Sequence, residues 1–147
     1  LVHKDIDFGA MAVVSNLFRA ATAVRNHLER SVLAKENLSW TAFVVLWVTW
    51  IWEPIETRQI AVEGGFSKAT LTGVLGTLEG RGLLTREKSP DDGRLVIVKM
   101  TPAGRKLMDR LFPAFNTEEK FVVETLGESA ERQTADHLRE ITRHLES

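Results

Sequence analysis

Chemistry on a substrate needs nucleophiles, acid–base pairs or metal ligands at matched spacings, and this chain holds few of them. It has no cysteine, which removes thiolate nucleophiles, disulfides and cysteine zinc sites. Its histidines are His3, His27, His137 and His144. His137 and His144 stand two turns apart on one helical stretch near Asp136 and Glu140, more than a single ion can bridge. Glu118-Glu119 and Asp91-Asp92 are neighbours in sequence, which does not make an acid–base pair. No Ser-His-Asp set, glycine-rich phosphate loop or HExxH pattern is present. These residues argue against an enzyme and call for no cofactor or metal. The polar groups that do cluster suit recognition instead. Ser67, Lys68, Thr70 and Thr72 crowd the start of one apolar-periodic segment, and Arg94 closes the turn Asp91-Asp92-Gly93-Arg94.

The elements that position these groups follow from periodicity. Met11, Val14, Leu17, Phe18, Ala21, Val24, Leu28 and Val32 recur at helical spacing within Phe8–Leu33. Ser39 reads as an N-cap for a helix from Trp40 to Trp52, apolar nearly all round and ended by Pro54. Ile55 and Glu56 read as a short extended piece. Thr57 reads as the cap of a helix through Glu63, and Gly64-Gly65 as the sharp turn after it. Ser67 caps the next helix, which runs to about Gly80 with Leu71, Val74, Leu75 and Leu78 on one face. Leu83–Lys88 and Leu95–Met100 read as strands joined by Ser89-Pro90-Asp91-Asp92-Gly93. Thr101-Pro102 is a strong helix start. That helix is expected to kink or be interrupted at Pro113 and to end at Gly127, before a last helix carrying Leu138, Ile141 and Leu145. The sum is a mainly α chain with one small β-hairpin, a helix-turn-helix followed by a wing. A helix of this kind fits a major groove, and an arginine at a strand tip suits a narrow minor groove, so the pattern points to duplex DNA.

Composition fits that expectation. At 147 residues the chain suits one domain with helical extensions. Net charge is −1, but it is segregated. Residues 57–106 carry 9 basic and 5 acidic groups, while residues 107–147 carry 5 and 9. A local basic patch matters more for nucleic-acid contact than the total. Ala42–Trp52, the longest apolar run, is too short to cross a bilayer. The first thirty residues lack a signal-peptide pattern, and the absence of cysteine fits the cytoplasm, so a cytoplasmic protein without membrane contact is expected. Leu1 is not methionine, so the numbering is expected to begin inside a longer chain.

The segment Gln59-Ile60-Ala61, Gly65-Phe66-Ser67-Lys68-Ala69-Thr70-Leu71-Thr72, Leu78-Glu79 and Gly82-Leu83 resembles the core of the MarR family of bacterial transcription regulators. The wing resembles it too, in Asp92-x-Arg94 and Val98-x-Met100-Thr101-x-x-Gly104, as does the upstream Leu38-Ser39, Phe43 and Leu46. The resemblance spans nearly the whole chain. It implies one MarR-like domain over 1–147, with a winged helix-turn-helix at about 38–104 and dimerisation helices at about 8–33 and 105–147. It implies a homodimer on a palindromic double-stranded operator. It also implies a small, often aromatic or phenolic, effector held between the dimer helices and the DNA-binding lobe. Departures are Gly73 and Thr77, where the family often has large polar residues, and Gly64, where leucine is usual.

The candidate DNA-contacting residues are Thr57, Ser67, Lys68, Ala69, Thr70, Thr72, Gly73, Thr77, Arg86, Lys88, Asp92 and Arg94. Ser67 is equally explained as a plain N-cap, and Thr70, Thr72 and Thr77 as a solvated helix face. Ala69 and Gly73 permit close approach. Asp92 cannot favour phosphate and is expected to orient Arg94 or hold the turn. Arg86 and Lys88 flank the wing and can meet the backbone, with a solvated strand charge as the competing reading. Trp40, Phe43, Trp47 and Trp50 share a helix face. Such a stripe reads first as core, and second as a lining, through Trp40 and Trp47, of an effector pocket. The function expected is a homodimeric repressor released by an effector. The alternative is a winged-helix protein-interaction module without specific DNA binding.

Overall fold

A computed structural model describes residues 5–147; His3 lies outside the described residues. Helix α1 spans Phe8–Ser31, its first turn capped by the Asp7 carboxylate, which accepts from the Ala10 amide at 2.9 Å. A 3-10 turn at Leu33–Glu36 and a left-handed Asn37 (φ 53°) redirect the chain into α2, Trp40–Trp52. Thus α1 ends two residues before Leu33. Ser39 accepts from the Ala42 amide, as a cap should.

Strand β1 is Ile55–Glu56, α3 is Thr57–Gly64 and α4 is Lys68–Gly80. Thr57 is the first helical residue and not the cap; Glu56 precedes it without a side-chain capping bond. Gly64 remains inside α3, and only Gly65 (φ 68°) takes the left-handed turn. A Cβ at Gly64 would run into the Phe66 ring, so leucine has no room there. The turn between α3 and α4 is then closed by the Phe66 amide on the Ala61 carbonyl at 2.9 Å.

Strands β2 (Leu84–Lys88) and β3 (Val96–Met100) form the wing. β1 joins them, so the hairpin expected from sequence is a three-stranded antiparallel sheet in the order β1-β3-β2, with Ile55 and Arg86 both opposite Val98. Helix α5 runs Pro102–Val122, with Thr101 capping at Gly104 N. Pro113 lies within it and does not interrupt it. Gly127 is the N-cap of α6, Glu128–Glu146, and the chain has already left α5 after Val122.

The core gathers α2 (Phe43, Val45, Leu46, Val48), α3 and α4 (Ile60, Leu71, Leu75, Leu78), the sheet (Ile55, Leu84, Val98, Met100) and α5 (Leu107, Met108, Leu111, Phe115). From α1 only its C-terminal end joins, through Leu28 and the following Val32 and Leu33. The remainder of α1 exposes Phe8, Met11, Val14 and Phe18, and α6 has no fully buried residue.

Candidate nucleic-acid interface

Three elements meet on one side of the sheet: the start of α3, the N-terminal half of α4 and the wing. They enclose a groove of about 430 Å³. Thr57, Arg58, Lys68, Thr72, Arg86 and Arg94 line it with Glu56, over an apolar floor of Ala61, Leu71, Leu75, Leu95 and Val96. Its four cations outnumber the carboxylates beside them, but three are paired, Arg58 with Glu56, Arg86 with Glu79 and Arg94 with Asp92, so the groove carries a modest positive excess.

The position of α4 follows from its sequence. Leu71, Leu75 and Leu78 are buried to 3% exposure or less, so the opposite face is solvent-directed. Ser67 Oγ accepts from the Thr70 amide at 3.1 Å and donates to Thr70 Oγ1 at 2.9 Å. The amides of Lys68 and Ala69, which a helix start leaves without intrahelical acceptors, remain at the open end. Such amides favour an anion. Lys68, Ala69, Thr70, Thr72, Gly73 and Thr77 are all exposed on this helix. Thr72 Oγ1 donates to the Lys68 carbonyl at 2.9 Å, and Thr77 Oγ1 to the Gly73 carbonyl at 3.2 Å.

At the wing tip, Ser89 Oγ accepts from the amides of Asp91 and Asp92, and the Asp92 carbonyl accepts from Leu95 N at 3.0 Å. Asp92 Oδ1 accepts from the Arg94 amide at 3.0 Å and from Arg94 Nε at 3.2 Å. One carboxylate thus fixes both the turn and the direction of the guanidinium, whose side chain is 91% exposed. Hydrogen bonding from Arg94, aided by the Arg58 charge, holds the Asp92 carboxyl below its ordinary range, so the pair stays ionised.

Arg86 is placed differently. Its guanidinium is bound by Glu79 Oε1 at 2.9 Å and its amide by Oε2 at 3.3 Å. That pair joins the end of α4 to β2, and the Arg86 hydrogen bond lowers the Glu79 carboxyl. Arg86 therefore ties the end of α4 to the wing while still lining the groove. Lys88 is exposed at the end of β2, outside the groove lining, and Thr57 is half-buried within it.

The tryptophans separate. Trp40 is half-buried with its ring 6.2 Å from Phe115 and 6.4 Å from Phe43, while Trp47 is 37% exposed. Neither lines the groove, nor a second cavity of about 460 Å³ between the end of α1, the 3-10 turn and α5. His137 and His144 lie on α6, and His27 on α1 stacks on Phe121 at 5.1 Å.

Sequence reasoning misses several residues. Arg58 enters the groove from α3, a position marked only by the basic excess of residues 57–106. Glu79 enters the sequence reading only through the resemblance; its partner Arg86 is seven residues away across a turn, a spacing no periodicity flags. Arg81, just past α4, donates to the carbonyls of Glu36 and Asn37 at 2.9 Å each, and Arg110 of α5 pairs with the Glu36 carboxylate at 3.1 Å. The loop before α2 thus ties the end of α4 to α5.

A helix presented opposite its core-packed face, beside a wing with an outward guanidinium, defines a winged helix-turn-helix protein. Comparisons with known proteins agree. The model of the MarR family matches residues 38–96. YwaE of Bacillus subtilis, described as an uncharacterised HTH-type transcriptional regulator, is 32% identical over 142 residues, spanning 97% of this chain and 83% of that protein. Among solved structures, Sco3205 of Streptomyces coelicolor, a MarR family transcriptional regulator in complex with DNA, matches with a TM-score of 0.86 at 18% identity, over 95% of this chain and 93% of that one. BpsR of Bordetella bronchiseptica, whose DNA binding is regulated by 6-hydroxynicotinic acid, matches with a TM-score of 0.82 at 24% identity, over 89% and 98%. The chain belongs to the MarR family: it is a DNA-binding transcriptional regulator and not an enzyme.

Proposed function

We propose that the chain acts as a homodimeric repressor on a palindromic operator, released by a small effector, and that residues 1–147 work as one domain in the cytoplasm. In each subunit the winged helix-turn-helix at about 38–104 addresses DNA, and the helices at about 8–33 and 105–147 hold the dimer. The observation that carries the DNA assignment is the pairing of an open, core-backed α4 with the Asp92-held, 91% exposed Arg94. Ser67, Lys68, Ala69, Thr70, Thr72, Gly73 and Thr77 face the major groove. Arg94 enters the minor groove with Asp92 as its orienting residue, and Thr57, Arg86 and Lys88 lie beside the phosphates.

Support for the dimer comes from surface that one subunit leaves uncovered. Leu138, Ile141 and Leu145 of α6 are 45%, 37% and 76% exposed, and Phe8, Met11, Val14 and Phe18 of α1 are each more than half exposed. Two terminal helices with unburied apolar faces gain most from a symmetric copy. Regulation of BpsR by 6-hydroxynicotinic acid supports an aromatic effector. Trp40 and Trp47 remain the residues proposed to meet it.

Fluorescence anisotropy at fixed salt tests the assignment. The chain should bind a duplex from its own promoter region tightly and salt-sensitively, and random duplex far more weakly. Equal affinity for both duplexes would leave a protein-interaction module as the better account. Sedimentation should give twice the protomer mass, and addition of aromatic carboxylic acids should quench tryptophan emission and release the duplex.

A further inference from the structure

Helix α4 carries Gly73 and Gly76 in its interior, where glycine is among the poorest residues. Neither has a reason inside the protein. An added Cβ at either position meets no atom within 4 Å, and neither takes a positive φ. Gly104 is the contrast: there a Cβ would strike the Leu83 carbonyl. At about 100° per residue, Ala69, Gly73 and Gly76 fall along one line opposite the buried Leu71, Leu75 and Leu78. This is the part of a groove-binding helix that sits deepest.

Two of the threonines bordering that line have spent their donors. Thr72 and Thr77 donate to their own helix backbone, and Ser67 donates to Thr70. A threonine whose hydroxyl turns to the i−4 carbonyl leaves its methyl as the group facing a partner. Between Ala69 and Gly76 the helix therefore offers backbone, one alanine methyl, threonine methyls and, near its start, the Thr70 hydroxyl that accepts from Ser67. Lys68 is the one cation on α4.

The major-groove edges of the bases are hydrogen-bond donors and acceptors, with one apolar exception, the C5-methyl of thymine. We infer that α4 reads thymine methyls by close apolar contact, and that Gly73 and Gly76 are specificity-determining because they let the backbone approach the base edges. The inference rests on α4 being the major-groove helix and names the sequence class it selects. Residues 69–76 span about 10 Å, or about three base-pair steps, so the thymines fall within one such window in each half-site. Arg94 in an adjacent minor groove favours the same composition, because narrow A·T minor grooves attract arginine.

The test uses a duplex enriched by the whole protein from a random pool. Thymines across each half-site are then replaced one at a time by deoxyuridine, which keeps pairing and removes the methyl. Affinity should fall about fourfold for each contacted methyl, within one three-base window per half-site, and stay constant elsewhere. In parallel, Gly73→Ala should raise the thermal midpoint by about 4 °C yet bind the same duplex on the order of tenfold more weakly. Unchanged affinity for every deoxyuridine duplex, or Gly73→Ala binding as tightly as the parent, overturns the inference while leaving DNA binding in place. If no sequence is enriched from the pool, the operator assignment fails, and the inference falls with it.

Discussion

Replacing Arg94 by alanine separates recognition from folding. The side chain is 91% exposed, and its partner Asp92, two residues away, is 37% exposed. Exposed pairs add little to stability, so the thermal midpoint should not move measurably. DNA binding should respond strongly. An arginine placed in a groove contributes about 1–3 kcal/mol, and the proposed dimer carries two wings. Removing that much from each wing weakens DNA binding by roughly thirtyfold or more. Taking one phosphate-neutralising charge from each wing should also flatten the slope of log K against log salt by about one unit per subunit. Anisotropy titrations across a series of salt concentrations measure both quantities. Arg94→Lys adds a control: the charge persists, so the salt slope should hold, while affinity drops because an ammonium lacks the planar fork that Asp92 orients. An alanine variant that keeps both the affinity and the slope of the parent would show that the wing does not touch DNA.

Other outcomes follow from specific contacts. Glu79 is held below its ordinary 4.5 by Arg86, so its contribution is present above that value and disappears as pH falls through the lower folded value. NMR titration of its carboxyl should show the depressed midpoint, and Arg86→Gln should return it to the ordinary range; a midpoint at or above 4.5 in the parent contradicts the pairing. Gly104→Ala drives a methyl into the Leu83 carbonyl where α5 leaves the sheet, and should cost roughly 1–3 kcal/mol in urea unfolding. Wild-type stability in that variant would mean that the contact relaxes freely. Ile141→Asp places a charge on the exposed apolar face of α6 and should halve the sedimenting mass, with operator affinity falling as avidity disappears. A dimer of unchanged strength would place the interface elsewhere.

Much of the architecture is legible in the sequence because the relevant signals are local. Ser39, Ser67 and Thr101 each cap the helix that their position announces, and in each the side-chain oxygen accepts from the amide three residues on. The Leu71, Leu75 and Leu78 spacing marks the buried face of α4, and so also the opposite face. Asp92 lies near enough to Arg94 in sequence for their pairing to be foreseen. The misreadings are equally local and arise where two signals coincide. Gly64-Gly65 contains two residues fit for a turn, and packing against Phe66 keeps the first of them helical. Gly127 serves as a helix start as readily as a helix end, and α5 stops five residues earlier. Pro113 reads as a kink or an interruption of α5; the helix runs on past it, with the buried Leu111 and Phe115 on either side packed in the core.

The residues alone therefore determine which segments are helical, which faces are buried, and that hydroxyls and an arginine cluster in one basic stretch. These depend on periods of two or four residues and on capping bonds that span three. Tertiary structure decided the rest, because its distances have no counterpart along the chain. It brought Ile55 to Val98 and so made a third strand. It placed Arg58 in the same groove as Lys68 and Arg94, and gave Arg86 to Glu79. It linked Arg81 and Arg110 to the loop at Glu36, 45 and 74 residues away. Charge and shape in a groove are sums over elements that meet only on folding, so the groove is a property of the packed molecule.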